Sequence, residues 1–245
     1  MNKNHTLGAA LLCTLAFTSI SAFSQVAPDG VQRYFRAGER PIQNVKVSNK
    51  YPDKDFNINV KIERDLNKNT PDQRTEATSD FLMAPNQFPL RAKENRLVRL
   101  VYTKPLDNEE KVYRIGFYPT PVKIEANEVT DRIVLGMDLL QSSGMLILVS
   151  PKNPAPKFKW ERDDTGITII NEGNVSLDFM RMREHCPNGK KDPNCQMISP
   201  GRVYPGQTRK FDFPGDLAID EWFYRIYDQI QPPISVDAYS SSAGF

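Results

Sequence analysis

Cys186 and Cys195, set either side of PNGKKDPN with His185 directly before the first, are the residues whose types and spacing come nearest to a reactive constellation in this chain. As metal ligands they are three, at a spacing that matches no common zinc pattern. As a redox pair they close a tight excursion, and in an oxidising compartment they read as a disulfide. Closing so short a loop stabilises by about 2.5–3 kcal/mol through the lost freedom of the unfolded chain. His185 stands on an excursion rich in Lys and Asn and reads as an exposed loop histidine rather than a general base. No nucleophile elbow, zinc-protease helix, dinucleotide fingerprint or phosphate loop occurs. The acidic pairs Glu109/Glu110 and Asp163/Asp164 could do carboxylate chemistry only if the fold brought them to a common cleft. They stand in turn-like stretches and read as solvated, so the expectation is a protein without catalytic chemistry, metal or cofactor.

The compartment is read from the first residues. MNKNHTLGAALLCTLAFTSISAFSQ combines a basic start at Lys3, an apolar run through Leu7–Phe17, and small residues Ala22 and Ser24 before Gln25, the pattern of a secretory signal peptide over residues 1–24. Thr14, Thr18, Ser19 and Ser21 break the run well short of the roughly 20 apolar residues a membrane span needs, and no later stretch is long enough. Leu12 before Cys13 is not the small residue a lipoprotein signal requires. Cleavage removes His5 and Cys13, leaves His185 as the single histidine, and takes the formal charge from +2 to +1 by removing Lys3. Cations and anions alternate along the remainder, which argues against a nucleic-acid surface. The expected protein is exported, with no membrane insertion.

Elements that could position these residues are strands. IQNVKVSN (42–49), FNINVKIERD (56–65), NRLVRLVYTK (95–104), KVYRIGFYP (111–119), DRIVLGMDLL (131–140), MLILV (145–149) and GITIINEGNVSLDFMRM (166–182) alternate or run apolar, with Pro, Asn, Asp and Gly between them. Short strands at roughly ten-residue intervals predict β-sandwiches. Pro151, Pro154 and Pro156 cannot sit in a central strand, so SPKNPAPK reads as a linker. The expected organisation is all-β: one sandwich over 25–151 and a second over 152–245, ending in a frayed YSSSAGF tail.

DRIVLGMDLL carries Ile133, Leu135, Met137 and Leu139 on one face. An amphipathic strand of this kind either belongs to its own domain's core or presents alternate side chains to a partner by β-strand addition. Pattern alone favours the core.

Several stretches together change that balance. FLMAPNQFPLRAKENRLVRLVY (81–102), PLDNEEKVYRIGFYP (105–119), ITIINEGNVSLDF (167–179) and the Cys186–Cys195 excursion followed by VYPGQTRKFDFP resemble a divergent branch of the periplasmic pilus-assembly chaperones. The resemblance implies two immunoglobulin-like β-sandwich domains in an L-shape and a function without catalysis. It makes Ile133, Leu135, Met137 and Leu139 the donor face of the last strand of the first domain. Pilin subunits of that system lack the final strand of their own sandwich, and the chaperone's strand fills the gap. Four such side chains supply roughly 6–12 kcal/mol before association costs are subtracted. The implied partners are pilin subunits and an outer-membrane usher. An unoccupied donor strand is also an edge through which the free protein could self-associate. The family's carboxylate anchor maps to Arg33 on GVQRYFRAG, with Arg36 the next candidate. Its second basic residue would fall near Leu146, where this chain is apolar, and Ser150 stands where an Arg usually precedes the inter-domain proline. Glu109 and Asp228 resemble the acids of the hinge. The competing readings are a secreted structural or adhesive two-domain β-sandwich, and a secreted hydrolase.

Overall fold

A computed structural model describes residues 26–68, 74–122, 141–163, 165–182, 201–212, 221–232, 234–235 and 240–244. Strands form where apolar residues alternate, because a pleated chain sends successive side chains to opposite faces. In order they are β1 (Val26–Pro28), β2 (Gln32–Phe35), β3 (Ile42–Asn49), β4 (Phe56–Asp65), β5 (Thr75–Ala77), β6 (Phe81–Ala84), β7 (Gln87–Leu90), β8 (Asn95–Tyr102), β9 (Lys111–Pro121) and β10 (Ser143–Val149). After Pro151 come β11 (Lys157–Asp163), β12 (Gly166–Asn171), β13 (Leu177–Met182), β14 (Gly201–Val203), β15 (Thr208–Asp212), β16 (Glu221–Ile226), β17 (Gln229–Ile230), β18 (Ile234–Ser235) and β19 (Ser240–Gly244). Among the described residues there is no helix.

The first ten strands make two sheets, ordered β1-β3-β8-β6 and β2-β10-β9-β4-β5, with β7 added to β4. Their inner faces meet in one core. Val45, Val47, Val98 and Leu100 come from one sheet, and Ile58, Val60, Tyr113, Ile115, Phe117, Ile147 and Val149 from the other. Phe35, Phe81, Tyr102 and Tyr113 close one end as an aromatic group, with centroids 4.9–6.3 Å apart. The Tyr113 hydroxyl satisfies itself by donating to Asp80 at 2.7 Å.

The later strands make two further sheets, β15-β12-β11-β19 and β14-β13-β16-β17 with β18 on β16. Phe158, Trp160, Ile167, Ile169, Leu177, Phe179 and Tyr224 fill the space between them. Each half ties a strand end to its neighbouring loops through one buried asparagine. The Asn49 amide nitrogen donates to the carbonyls of Lys54, Leu90 and Arg91, and its oxygen accepts from the Tyr51 N–H. Asn171 repeats the device on the carbonyls of Val175 and Val203 and the Gly173 N–H. Two sandwiches of immunoglobulin-like build result.

Candidate functional site

β10 is the strand that runs into Pro151, and its two edges differ. It pairs antiparallel with β9 from Ser143↔Phe117 to Val149↔Lys111, but parallel with β2 only from Leu146↔Gln32 to Val149↔Phe35. The cause is the chain's crossing from one sheet to the other: β1 pairs with β3 in the first sheet, and the backbone passes to the second between Pro28 and Gln32. The Leu146 N–H donating to the Val31 carbonyl at 2.9 Å is the last bond on that side among the described residues. Upstream of it, Ser143–Met145 have no partner strand on that edge among the described residues. Ile133, Leu135, Met137 and Leu139 lie outside the described residues, as do His185, Cys186 and Cys195.

Parity along β2 separates its side chains. Phe35 is in the core, and Arg33 shares its side of the strand; Gln32 and Tyr34 take the opposite side, which faces the second domain. Arg33 is tethered, with Nη2 2.5 Å from the Asp29 carboxylate and Nη1 donating to the Gln32 carbonyl at 3.0 Å. Leu146 is half-buried on the face that Tyr204 of the second domain covers together with Val112 and Leu148. An apolar residue suits that place, since it sits against a buried aromatic ring.

Around Tyr204 the two domains share a cluster of charges. Glu110, at 2 % exposure, accepts from both the backbone N–H and the hydroxyl of Ser176, each at 3.1 Å. The same hydroxyl accepts from Arg202 at 2.9 Å. Arg202 also donates to the Gln32 side-chain oxygen at 2.8 Å and to Asp178 at 3.2 Å, while Arg225 holds Asp178 at 2.7 Å. Burial pushes the Glu110 carboxyl above the usual carboxylate range, against the pull of the Ser176 hydrogen bonds and of nearby Arg202 and Lys68. Burial likewise pushes the Tyr204 phenol up to about 12. On the flank, Arg36 pairs with Asp228 and with Glu39, and its guanidinium lies 5.7 Å from the Tyr34 ring and 6.0 Å from the Tyr227 ring. The two rings meet edge-on at 5.5 Å.

Against the sequence, these positions bring one correction. Glu109 is exposed and its N–H donates to Asp107; the acid that crosses to the second domain is its neighbour Glu110, which the sequence read as solvated. Asp228 stands at the junction opposite Arg36. Asp163 spends its carboxylate on Lys210 and Thr165 at the surface. Arg202, Ser176, Asp178 and Tyr204 were not singled out from sequence. The signal that could have found Glu110 is its place directly before a strand with an apolar neighbour two residues on.

Among known proteins, residues 26–154 match the family model described as pili and flagellar-assembly chaperone, PapD N-terminal domain. The chain is 25% identical over 159 residues to "Probable fimbrial chaperone EcpE" of Escherichia coli strain K12, and 27% identical over 165 residues to the protein of the same name in strain O18:K1:H7. In each case 63% of this chain is covered, and the chain spans 65% of the length of these relatives. By fold it is similar to the class 5 fimbriae chaperone CfaA, with a TM-score of 0.54 at 17% identity over 89% of this chain and 97% of that one. It is also similar to a chain in the Salmonella enterica SafA pilin–SafB chaperone complex, with a TM-score of 0.55 at 14% identity over 86% of this chain and 95% of that one. These neighbours have two immunoglobulin-like sandwiches, as seen here. The chain belongs to the pili and flagellar-assembly chaperones, a family without enzymatic activity.

Proposed function

We propose that this chain captures incomplete immunoglobulin-like pilin subunits in the periplasm by donating a strand, and passes them to an outer-membrane usher. The observation that carries this reading is the open edge of β10. It lacks a partner strand at Ser143–Met145 among the described residues, and the chain that leads into it is the amphipathic run from Ile133 to Leu139. A subunit lacking its last strand would pair with that edge, and Ile133, Leu135, Met137 and Leu139 would fill its groove. For the subunit's terminal carboxylate, the proposed cation is Arg33, beside Ile147 on the strand next to β10, whose guanidinium pairs with the Asp29 carboxylate within this chain. The hinge acids of the reading are Glu110 and Asp228. It includes a leader over 1–24, domains divided near residue 151, and a disulfide between Cys186 and Cys195. Relatives of this family are periplasmic, and the leader would bring the chain there.

The test is co-expression with a pilin subunit of a chaperone–usher system, followed by pull-down from the periplasm. Changing Leu135 and Met137 together to Ser leaves the circular dichroism spectrum intact and abolishes recovery of the subunit. A variant that unfolds would place the two side chains in this protein's own core and overturn strand donation. Mass spectrometry of the exported protein checks the leader and, through two missing hydrogens, the disulfide.

A further inference from the structure

On the outer face of the second sheet, beside the open edge of β10, two glycines stand directly opposite one another in neighbouring strands: Gly144↔Gly116. Lys61 of β4 completes the same row. Side chains on this face otherwise stand up from every position, so the glycine pair leaves a gap two strands wide, covered over Gly116 by Tyr118 and bare over Gly144. It forms part of a depression of about 610 Å³ with Val31 on its lip, Lys61 and Arg114 on its flanks, and Tyr118 along one wall. The Tyr118 ring folds back over Gly116, where an added methyl would land 2.6 Å from its hydroxyl. Over Gly144 the space is open among the described residues: of these, a methyl there would meet only the Ile115 carbonyl, at 3.3 Å. The Lys61 ammonium lies 5.7 Å from the Tyr118 ring centre.

We propose that the floor over Gly144 is a subsite for one aromatic side chain of an extended polypeptide strand laid along the open edge of β10. A flat ring suits a floor without side chains. The same surface already holds one ring, Tyr118, against which a second would pack. A side chain from a strand paired at Gly144 reaches this floor directly, because neighbouring strands lie roughly 4.8 Å apart. The direction of that strand rests on the strand-donation reading; the subsite itself does not.

The probe is N-acetyl-tyrosinamide, titrated into the ¹⁵N-labelled mature protein, with N-acetyl-leucinamide as the apolar control. The tyrosine probe shifts the amides of Gly116, Tyr118 and Gly144 and binds at least tenfold more tightly than the leucine probe. Gly144→Val covers the floor and removes the response. Should a side chain at Gly144 strain β10, Tyr118→Ala on the exposed face keeps the fold and weakens the tyrosine probe by about threefold or more, the scale of one aromatic pair. Equal response to both probes, or a tyrosine response that survives Gly144→Val, overturns the subsite. The Leu135→Ser, Met137→Ser variant separates the two readings. If it still holds its pilin subunit while the tyrosine probe binds as described, strand donation fails and the subsite stands.

Discussion

Glu110 brings a carboxyl group into the interface between the domains with only one of its oxygens partnered. Oε2 takes both Ser176 donors, and Oε1 has no hydrogen-bond partner among the described residues. Burial raises its pKa, and the opposing pulls of Ser176, Arg202 and Lys68 do not reverse the direction. A carboxyl whose pKa is raised on folding binds its proton more tightly in the folded state. Its contribution to stability is therefore complete below the unfolded value near 4.3 and is lost as pH rises through the raised value. Glu110→Gln keeps the shape and removes the titration. Urea unfolding of the two proteins at pH 4.5 and pH 7.5 will show the Gln variant gaining on the parent as pH rises. A difference that does not change with pH would mean that the charge is solvated after all. Parity at this scale also explains what the sequence concealed. Glu109 and Glu110 are adjacent and chemically alike, and one residue of phase along the chain sends the second inward. Arg33 and Gln32 differ in the same way: the cation drew notice, while the amide beside it meets Arg202.

Strands were legible because their cause is local. IQNVKVSN and FNINVKIERD coincide with β3 and β4, and KVYRIGFYP with most of β9, since alternate burial is written into each stretch. The apolar run MLILV falls within β10, buried on one face by the first core and half-covered on the other by Tyr204. What no stretch records is which strands meet. Ser176 reaches back 66 residues to Glu110 and Arg202 reaches 170 to Gln32, so the site between the domains exists only once both sandwiches have folded. Asn171 was legible as part of a turn but not as a buried tie. With the amide gone, the carbonyls of Val175 and Val203 lose their donor at the end of β12, at about 1–3 kcal/mol for each carbonyl left unsatisfied. Asn171→Ala should therefore lower stability by roughly 2–6 kcal/mol in denaturant titration. A loss below about 0.5 kcal/mol, the range of ordinary surface changes, would show that water replaces the amide freely.

At the scale of the whole molecule, the second domain grips the face of the sheet that contains β10. Tyr204 lies over Leu148 and Val112, and Arg202 binds Ser176 and Asp178 of its own domain and Gln32 of the first. Each sandwich has its own core, so this junction sets how firmly the two act as one body rather than whether either folds. Arg202→Met keeps the stem and removes the charge, leaving Asp178 to Arg225 alone and Glu110 without the opposing pull of Arg202. Removing one partner of a buried ionic cluster costs about 3–5 kcal/mol. Because that loss falls on the junction, denaturant unfolding should change from one transition to two, and the radius of gyration from X-ray scattering should rise while circular dichroism stays constant. Arg202→Lys should fall between, since an ammonium cannot reach Ser176, Gln32 and Asp178 at once as a planar guanidinium does. On the strand-donation reading, subunit recovery falls with Arg202→Met as well. The junction steadies β10, and a loosened strand must be ordered again at the cost of binding energy. Unchanged scattering and a single transition in Arg202→Met would show that Tyr204 and its apolar neighbours hold the domains together without the charges.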